Sequence, residues 1–268
     1  MHPFRFFTHA LSHVSRLTKI VLGLLLLCII LLSSSRPVQA ANQISPQLEE
    51  QMLQVIREHP EVIVESFKAY QQRIQEQSQE AQQAFVQKLE TNPQAVIGDS
   101  PKTGASQSKV IMVEFSDFQC PYCARAHKTV QEFMAKHEDE VTLVYKHFPL
   151  ASIHPQAVSA AKATWAAFQQ GKFWEYHDEL FTKQEQLGES FYLETAQRLN
   201  LDVDQFNRDR NSQAAETAIS QDLQLAESLG VKGTPFFVMN GELFAGAREL
   251  KDMEKRFTRV KQLLSNQT

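Results

Sequence analysis

Two cysteines three residues apart, Cys120 and Cys123 in Cys120-Pro121-Tyr122-Cys123, constrain this chain more than any other feature. The only other cysteine, Cys28, sits in an apolar run near the N-terminus. A disulfide across so short a loop constrains the unfolded chain little, because that effect grows with loop length. The pair is therefore a poor structural staple, and a chemical role is the better reading. Its rival is a metal site. Zinc takes four ligands and only two thiolates are present. His127, four residues past Cys123, is a candidate third ligand, but its helical position is expected to point it to solvent. Two thiolates alone suit a soft ion such as copper(I).

The N-terminus sets the compartment in which these thiols are expected to work. Arg5, Arg16 and Lys19 precede the apolar run Ile20 to Leu32, and small residues follow up to Ala41. A basic start, a short apolar core and small residues spaced two apart, here Val38 and Ala40, read as a secretory signal peptide cut after Ala40. The run is shorter than the ~20 residues that span a bilayer as a helix, although an uncleaved anchor is the alternative. Without a twin-arginine pair, the general secretion route is expected. Export would place the pair where disulfides persist.

Removing residues 1–40 takes away four of the 27 basic side chains and none of the 31 acidic ones, leaving a formal charge of −8. An acidic chain repels phosphate backbones, so nucleic acid is not an expected partner. The remaining length suits one sizeable domain with an extension.

Residues 44–89 have helical character. Ser45-Pro46 reads as a cap followed by a first-turn proline, and His59-Pro60 interrupts the pattern. Ile63, Phe67, Tyr70 and Ile74 step by four, three and four along one face, a seam that Ala81, Phe85 and Leu89 continue. Such a stripe must be covered, either by the chain's own domain or by another chain; the second is the preferred reading, which makes residues 44–90 a candidate segment for self-association. Asn92-Pro93 ends the helix, and residues 98–108 read as a linker.

Val110 to Phe115 is β-branched and apolar except for Glu114, as a central strand should be. A short turn and the cysteines follow, then a helix over Ala124–Lys136 and a second strand over Val141–Lys146. This spacing predicts a parallel βαβ unit. Helical patterns fill residues 154–229, with breaks at Gly171, Gly188 and near Leu201-Asp202. Trp165, Phe168, Phe173, Trp174 and Phe181 are expected in the core, His154 at a helix start and His177 in a structural role. A strand over Phe236–Met239 then meets a partner across Asn240-Gly241, a hairpin signal, and a last helix covers Leu250–Leu264.

Placing Cys120 at the start of a helix gives it free backbone N–H groups and the positive end of the macrodipole, which favour thiolate over thiol. Pro121 fits the first turn, where its missing donor costs nothing. Cys120 is expected to be the exposed nucleophile and Cys123, turned inward, the resolving thiol.

The stretch Phe115-Ser116-Asp117-Phe118-Gln119-Cys120-Pro121-Tyr122-Cys123, with Lys146-His147-Phe148-Pro149-Leu150 and Gly233-Thr234-Pro235-Phe236-Phe237-Val238 downstream, resembles the DsbA-like thiol–disulfide oxidoreductases over about residues 110–264. The resemblance implies an α/β thioredoxin fold with a helical domain inserted at about residues 152–229. The domain would span 98–268, after a signal peptide at 1–40 and a helical extension at 41–97. It implies that Thr234-Pro235 is a cis-proline loop lining the site and meeting substrate together with Pro121 and Tyr122; an ordinary trans proline opening a strand is the alternative. Glu114 matches a buried acid that takes a proton from the resolving cysteine, with Lys146 as its expected partner; exposed strand-end charges are the alternative for both. The N-terminal helices are similar to the extension of ScsC-like proteins, where such a segment mediates oligomerisation.

The family implies catalysis by Cys120, Cys123, Pro235 and Glu114 without a cofactor or metal, on exported protein thiols or disulfides in the periplasm or cell envelope, with a membrane redox partner. Whether it oxidises, reduces or isomerises stays open. The reading from a different class is a non-catalytic metal- or protein-binding module.

Overall fold

The structure, a computed structural model, describes residues 45–266, so the expected signal peptide and its cut lie outside the described residues. The chain divides into two compact units between Glu65 and Ser66.

The first unit holds α1 (Pro46–Glu58) and the start of α2 (Pro60–Thr91). Ser45 caps α1 by accepting a hydrogen bond from the Leu48 N–H at 3.2 Å, with Pro46 in the first turn. The helix stops at His59 because Pro60 disfavours helical geometry in the residue before it. None of the α1 side chains is buried: Leu48, Met52, Leu53, Val55 and Ile56 are exposed, as are Val62, Ile63 and Val64 of α2.

The second unit contains the rest of α2 and everything after it. The Gln- and Ala-rich end of α2 was expected to belong to the extension, but Phe85 and Leu89 are buried in the core of the sheet unit. Gln82 donates to the Leu229 carbonyl at 2.7 Å. A short helix α3 (Pro93–Ile97) and an edge strand β1 (Lys102–Gly104) follow. β1 replaces part of the expected linker. Its sequence has no apolar alternation because all three residues are exposed. Gly104 marks it instead: φ is +85°, and a Cβ there would meet the Val141 carbonyl oxygen at 2.2 Å.

The central strands are β2 (Val110–Ser116) and β3 (Val141–His147), parallel and joined by α4 (Pro121–His137). The sheet order is β1-β3-β2-β4-β5, with β4 (Phe236–Met239) and β5 (Glu242–Ala245) antiparallel. Every residue of β2 and β3 is buried, and successive residues serve opposite faces. Met112 packs with Ala126, Val130 and Phe133 of α4 and with Met253 and Phe257 of α10 (Leu250–Ser265). Ile111, Val113 and Phe115 pack with Phe85, Leu89, Val96 and Leu229. Each such large side chain contributes roughly 1.5–3 kcal/mol on full burial.

Between β3 and β4 lie α5 (Ala157–Gln169), α6 (Phe173–Thr182), a 3₁₀ turn (Gln184–Gln186), α7 (Glu189–Arg198), α8 (Val203–Arg210) and α9 (Gln213–Ser228). Tyr176, Leu180, Tyr192 and Phe206 centre this block. Phe173 and Phe181 are buried as expected, whereas Trp165, Phe168 and Trp174 are only partly covered. The hairpin turns at Asn240-Gly241, both with positive φ. The Asn240 side chain accepts from Ile111 N–H at 2.6 Å and donates to the Lys109 carbonyl at 2.9 Å, tying the turn to β2. Among the described residues, no helix is long and apolar enough to cross a membrane.

Candidate active site

Strand β2 ends at Ser116, and the turn from Asp117 to Gln119 delivers Cys120 as the N-cap of α4. Asp117 holds this turn with both carboxylate oxygens. Oδ1 accepts from the Gln119 N–H at 2.8 Å; Oδ2 accepts from the Leu150 N–H at 2.9 Å and lies 2.7 Å from His154 Nδ1. His154 is thus an Asp117 partner as well as part of the turn into α5, its carbonyl accepting from the Ala157 N–H at 3.1 Å, and one buried carboxylate pins the cysteine turn to the loop after β3. Gln184, from the inserted helices, donates to the Phe118 carbonyl at 2.7 Å and the Cys120 carbonyl at 2.9 Å. Sequence reasoning passed over Asp117 and Gln184. Asp117 stands within the motif itself, but Gln184 is 64 residues beyond Cys120 and no local pattern marks it.

Both cysteines are free thiols. Cys120 is more covered than expected, at 4% exposed against 0% for Cys123, because it joins the core formed by Phe118 and the inserted helices. Pro121 and Tyr122 form an exposed lip beside it, where the Arg125 guanidinium lies 4.5 Å from the Tyr122 ring centre. The Thr234–Pro235 bond is cis, and the Cys120 thiol donates to the Thr234 carbonyl at 3.4 Å. This loop and the helix start therefore meet at one sulfur.

The two sulfurs are driven apart electrostatically. The Cys120 pKa is lowered from 9.0 to about 5. The Cys123 thiol, which hydrogen-bonds to it, is the largest cause; Thr234 and the backbone N–H groups of Cys123 and Tyr122 add to it, against the cost of burial. Cys123 is pushed above its ordinary value, first by burial and then by the neighbouring Cys120 sulfur.

Below the pair lies a buried polar cluster. Glu114 is 3% exposed, and burial raises its pKa from 4.5 to about 7 against the opposing influence of Ser116 and His127. Burial also raises the Tyr145 phenol, as do the Glu114 and Cys123 acids near it. The Ser116 and Tyr145 hydroxyls make no hydrogen bond within normal geometry, nor does the Thr234 hydroxyl. Buried groups of this kind are uncommon in a finished core.

Two further expectations are overturned. Lys146 is not the partner of Glu114. The parallel register sets Glu114 opposite Tyr145 and Phe115 opposite Lys146, so Lys146 serves the other face of the sheet, where it pairs with Asp222 at 3.1 Å. His127 is not turned to solvent. It is buried, with Nε2 2.9 Å from Asp178 Oδ1, because α6 packs over that face of α4.

A family model for the DSBA-like thioredoxin domain matches residues 111–258, more than half of the sequence. The chain belongs to the DSBA-like thioredoxin domain family. This DSBA-like protein is similar to a thioredoxin-like oxidoreductase from Silicibacter pomeroyi DSS-3, 32% identical with a TM-score of 0.59, covering 64% of this chain and 99% of that one. It shares its fold with Proteus mirabilis ScsC, 21% identical with a TM-score of 0.57, over 83% of this chain and 100% of that one. Among curated proteins it is 39% identical over 143 residues to the Na(+)/H(+) antiporter NhaA 3 of Salinispora tropica, which covers 53% of this chain and 22% of that protein. A match of 36% over 155 residues to NhaA 1 of Salinispora arenicola covers 58% and 24%. The chain spans about a quarter of the length of these curated relatives.

Proposed function

We propose that the protein is an exported thiol–disulfide oxidoreductase acting through Cys120 and Cys123. The observation that carries this reading is the opposed ionisation of the two sulfurs, with Cys120 lowered to about 5 at a helix start and Cys123 raised in the core.

At neutral pH Cys120 is held almost wholly as thiolate. In the reducing direction it attacks a substrate disulfide sulfur. One S–S bond breaks as the mixed disulfide forms, and the departing substrate thiolate takes a proton from solvent. Cys123 then loses its proton and attacks the Cys120 sulfur, releasing the second substrate thiolate and leaving the Cys120–Cys123 disulfide. The reverse sequence oxidises a substrate dithiol. In that oxidising direction the substrate's second thiolate attacks the substrate sulfur of the mixed disulfide, and a low pKa makes Cys120 a good leaving group there. Glu114, poised near neutrality, is the proposed acceptor of the Cys123 proton. The Thr234–Pro235 loop, Pro121 and Tyr122 are proposed to line the substrate site, with Pro235 keeping the loop against the sulfur.

Substrates are proposed to be exported proteins bearing thiols or disulfides, in the periplasm or cell envelope, with a membrane partner resetting the pair. Residues 44–90 are proposed to mediate self-association; the exposed apolar side chains of α1 and of α2 from Val62 to Ile74 support this. The central test is an insulin-reduction assay. Wild type should catalyse reduction and Cys120→Ala should fall to the background rate. Equal rates would overturn the reading.

A further inference from the structure

One cluster of metal-binding side chain types lies apart from the two thiols. His127 of α4 and His177 and Asp178 of α6 bring three ligand atoms within 4.8 Å of one another. Asp178 Oδ1 is the apex, 2.9 Å from His127 Nε2 and 2.9 Å from His177 Nδ1. We propose that His127, His177 and Asp178 form a binding site for one divalent zinc ion, bridging the helix that carries the cysteines and the inserted helical block.

The geometry suits this ion. Zinc binds imidazole nitrogen and carboxylate oxygen at about 2.0–2.2 Å in tetrahedral sites, which places neighbouring ligand atoms about 3.3 Å apart. The two contacts at Asp178 need to open by a few tenths of an ångström, and the two imidazole nitrogens, which lie within 4.8 Å of each other, need to close toward the same spacing. Two imidazoles and a carboxylate are a borderline donor set, suited to zinc rather than to the hard ions that prefer all-oxygen sites. Each imidazole keeps one proton on its far nitrogen when the near one takes the metal. The fourth position falls to water.

The rings are fixed in advance. His127 stacks on Phe181 with centroids 5.1 Å apart, and His177 packs edge-on to Phe118 at 5.6 Å and to Phe181 at 4.9 Å. The two histidines are buried, while the Asp178 side chain is 46% exposed and gives the ion a way in. The ligands come from elements about 50 residues apart, so an ion here would staple the cysteine helix to the inserted block independently of the disulfide.

The test is zinc titration of the full chain with its Cys120–Cys123 disulfide closed, so that thiolates cannot compete. Calorimetry should show one zinc ion per chain, and binding should weaken at least 10-fold in Asp178→Asn, which keeps a carbonyl oxygen for the histidine hydrogen bonds. Histidine ¹H–¹⁵N spectra of the wild type decide the matter even if that variant fails to fold. His127 and His177 signals should shift on saturation. No binding by the oxidised wild type, undiminished binding by a folded Asp178→Asn protein, or shifts confined to His59, His137 or His154 would overturn the proposal.

Discussion

The N-terminal helices and the ground beneath the cysteines reverse the usual arrangement in opposite ways. In α1 and the first half of α2, Met52, Ile56, Ile63 and Phe67 stand in the open. Beneath Cys123, Glu114, Ser116 and Tyr145 are sealed from water with few hydrogen bonds. An apolar stripe left uncovered is the mark of a surface that meets a partner. A buried polar cluster incompletely satisfied is a cost that chemistry can justify. The same molecule thus exposes what it should bury where it would associate, and buries what it should expose where it would react.

The largest effect that bears on this contrast is on association. Ile63→Glu combined with Phe67→Glu should convert an oligomer to a monomer, with the melting temperature of the sheet unit little changed. Light scattering beside a thermal melt measures both, and an unchanged mass would remove the proposed role of residues 44–90. Substitution is a better test than truncation near Val96, because Phe85 and Leu89 belong to the core.

The next effect is on thiol ionisation. Iodoacetamide alkylation of Cys120 in the reduced protein should rise with a midpoint near pH 5, far below that of a free cysteine. Thr234→Val should move the midpoint upward by a fraction of a unit; a wild-type midpoint near 8.5 would remove the electrostatic half of the contrast.

Third, Glu114 sets a pH dependence of stability. Its folded pKa lies above its unfolded one, so its stabilising contribution is complete below about 4.5 and is lost as pH rises through about 7. Urea denaturation should show the wild type losing up to about 3 kcal/mol relative to Glu114→Gln between pH 4 and 8. Parallel profiles would mean that the carboxyl is ordinary. The smallest effect is structural. Gln82→Ala removes the hydrogen bond to the Leu229 carbonyl and should lower stability by about 1 kcal/mol.

Much of the fold was legible because its signals are local. The Ser45 cap, the break at His59-Pro60, the apolar runs of β2 and β3 and the Asn240-Gly241 turn each depend on a few adjacent residues. Strand β1 was not legible, since its three exposed residues carry no alternation and its pairing with β3 is settled some 40 residues downstream. Within the site, the position of Cys120 at a helix start followed from the proline after it. The coverage of Cys120 did not follow, because the side chains over it come from the inserted block.

Sequence by itself determined the thiol pair, the helix that begins at it and the order of the strands from β2 onward with the helices between them, for these rest on backbone preferences and on the spacing of apolar side chains. Only the tertiary structure decided that Lys146 meets Asp222 rather than Glu114, that His127 turns inward to Asp178, and that Gln184 reaches the Cys120 carbonyl. Those pairings depend on strand register and on which helix covers which face. They are set by packing between segments far apart in the chain, where no local pattern records the partner.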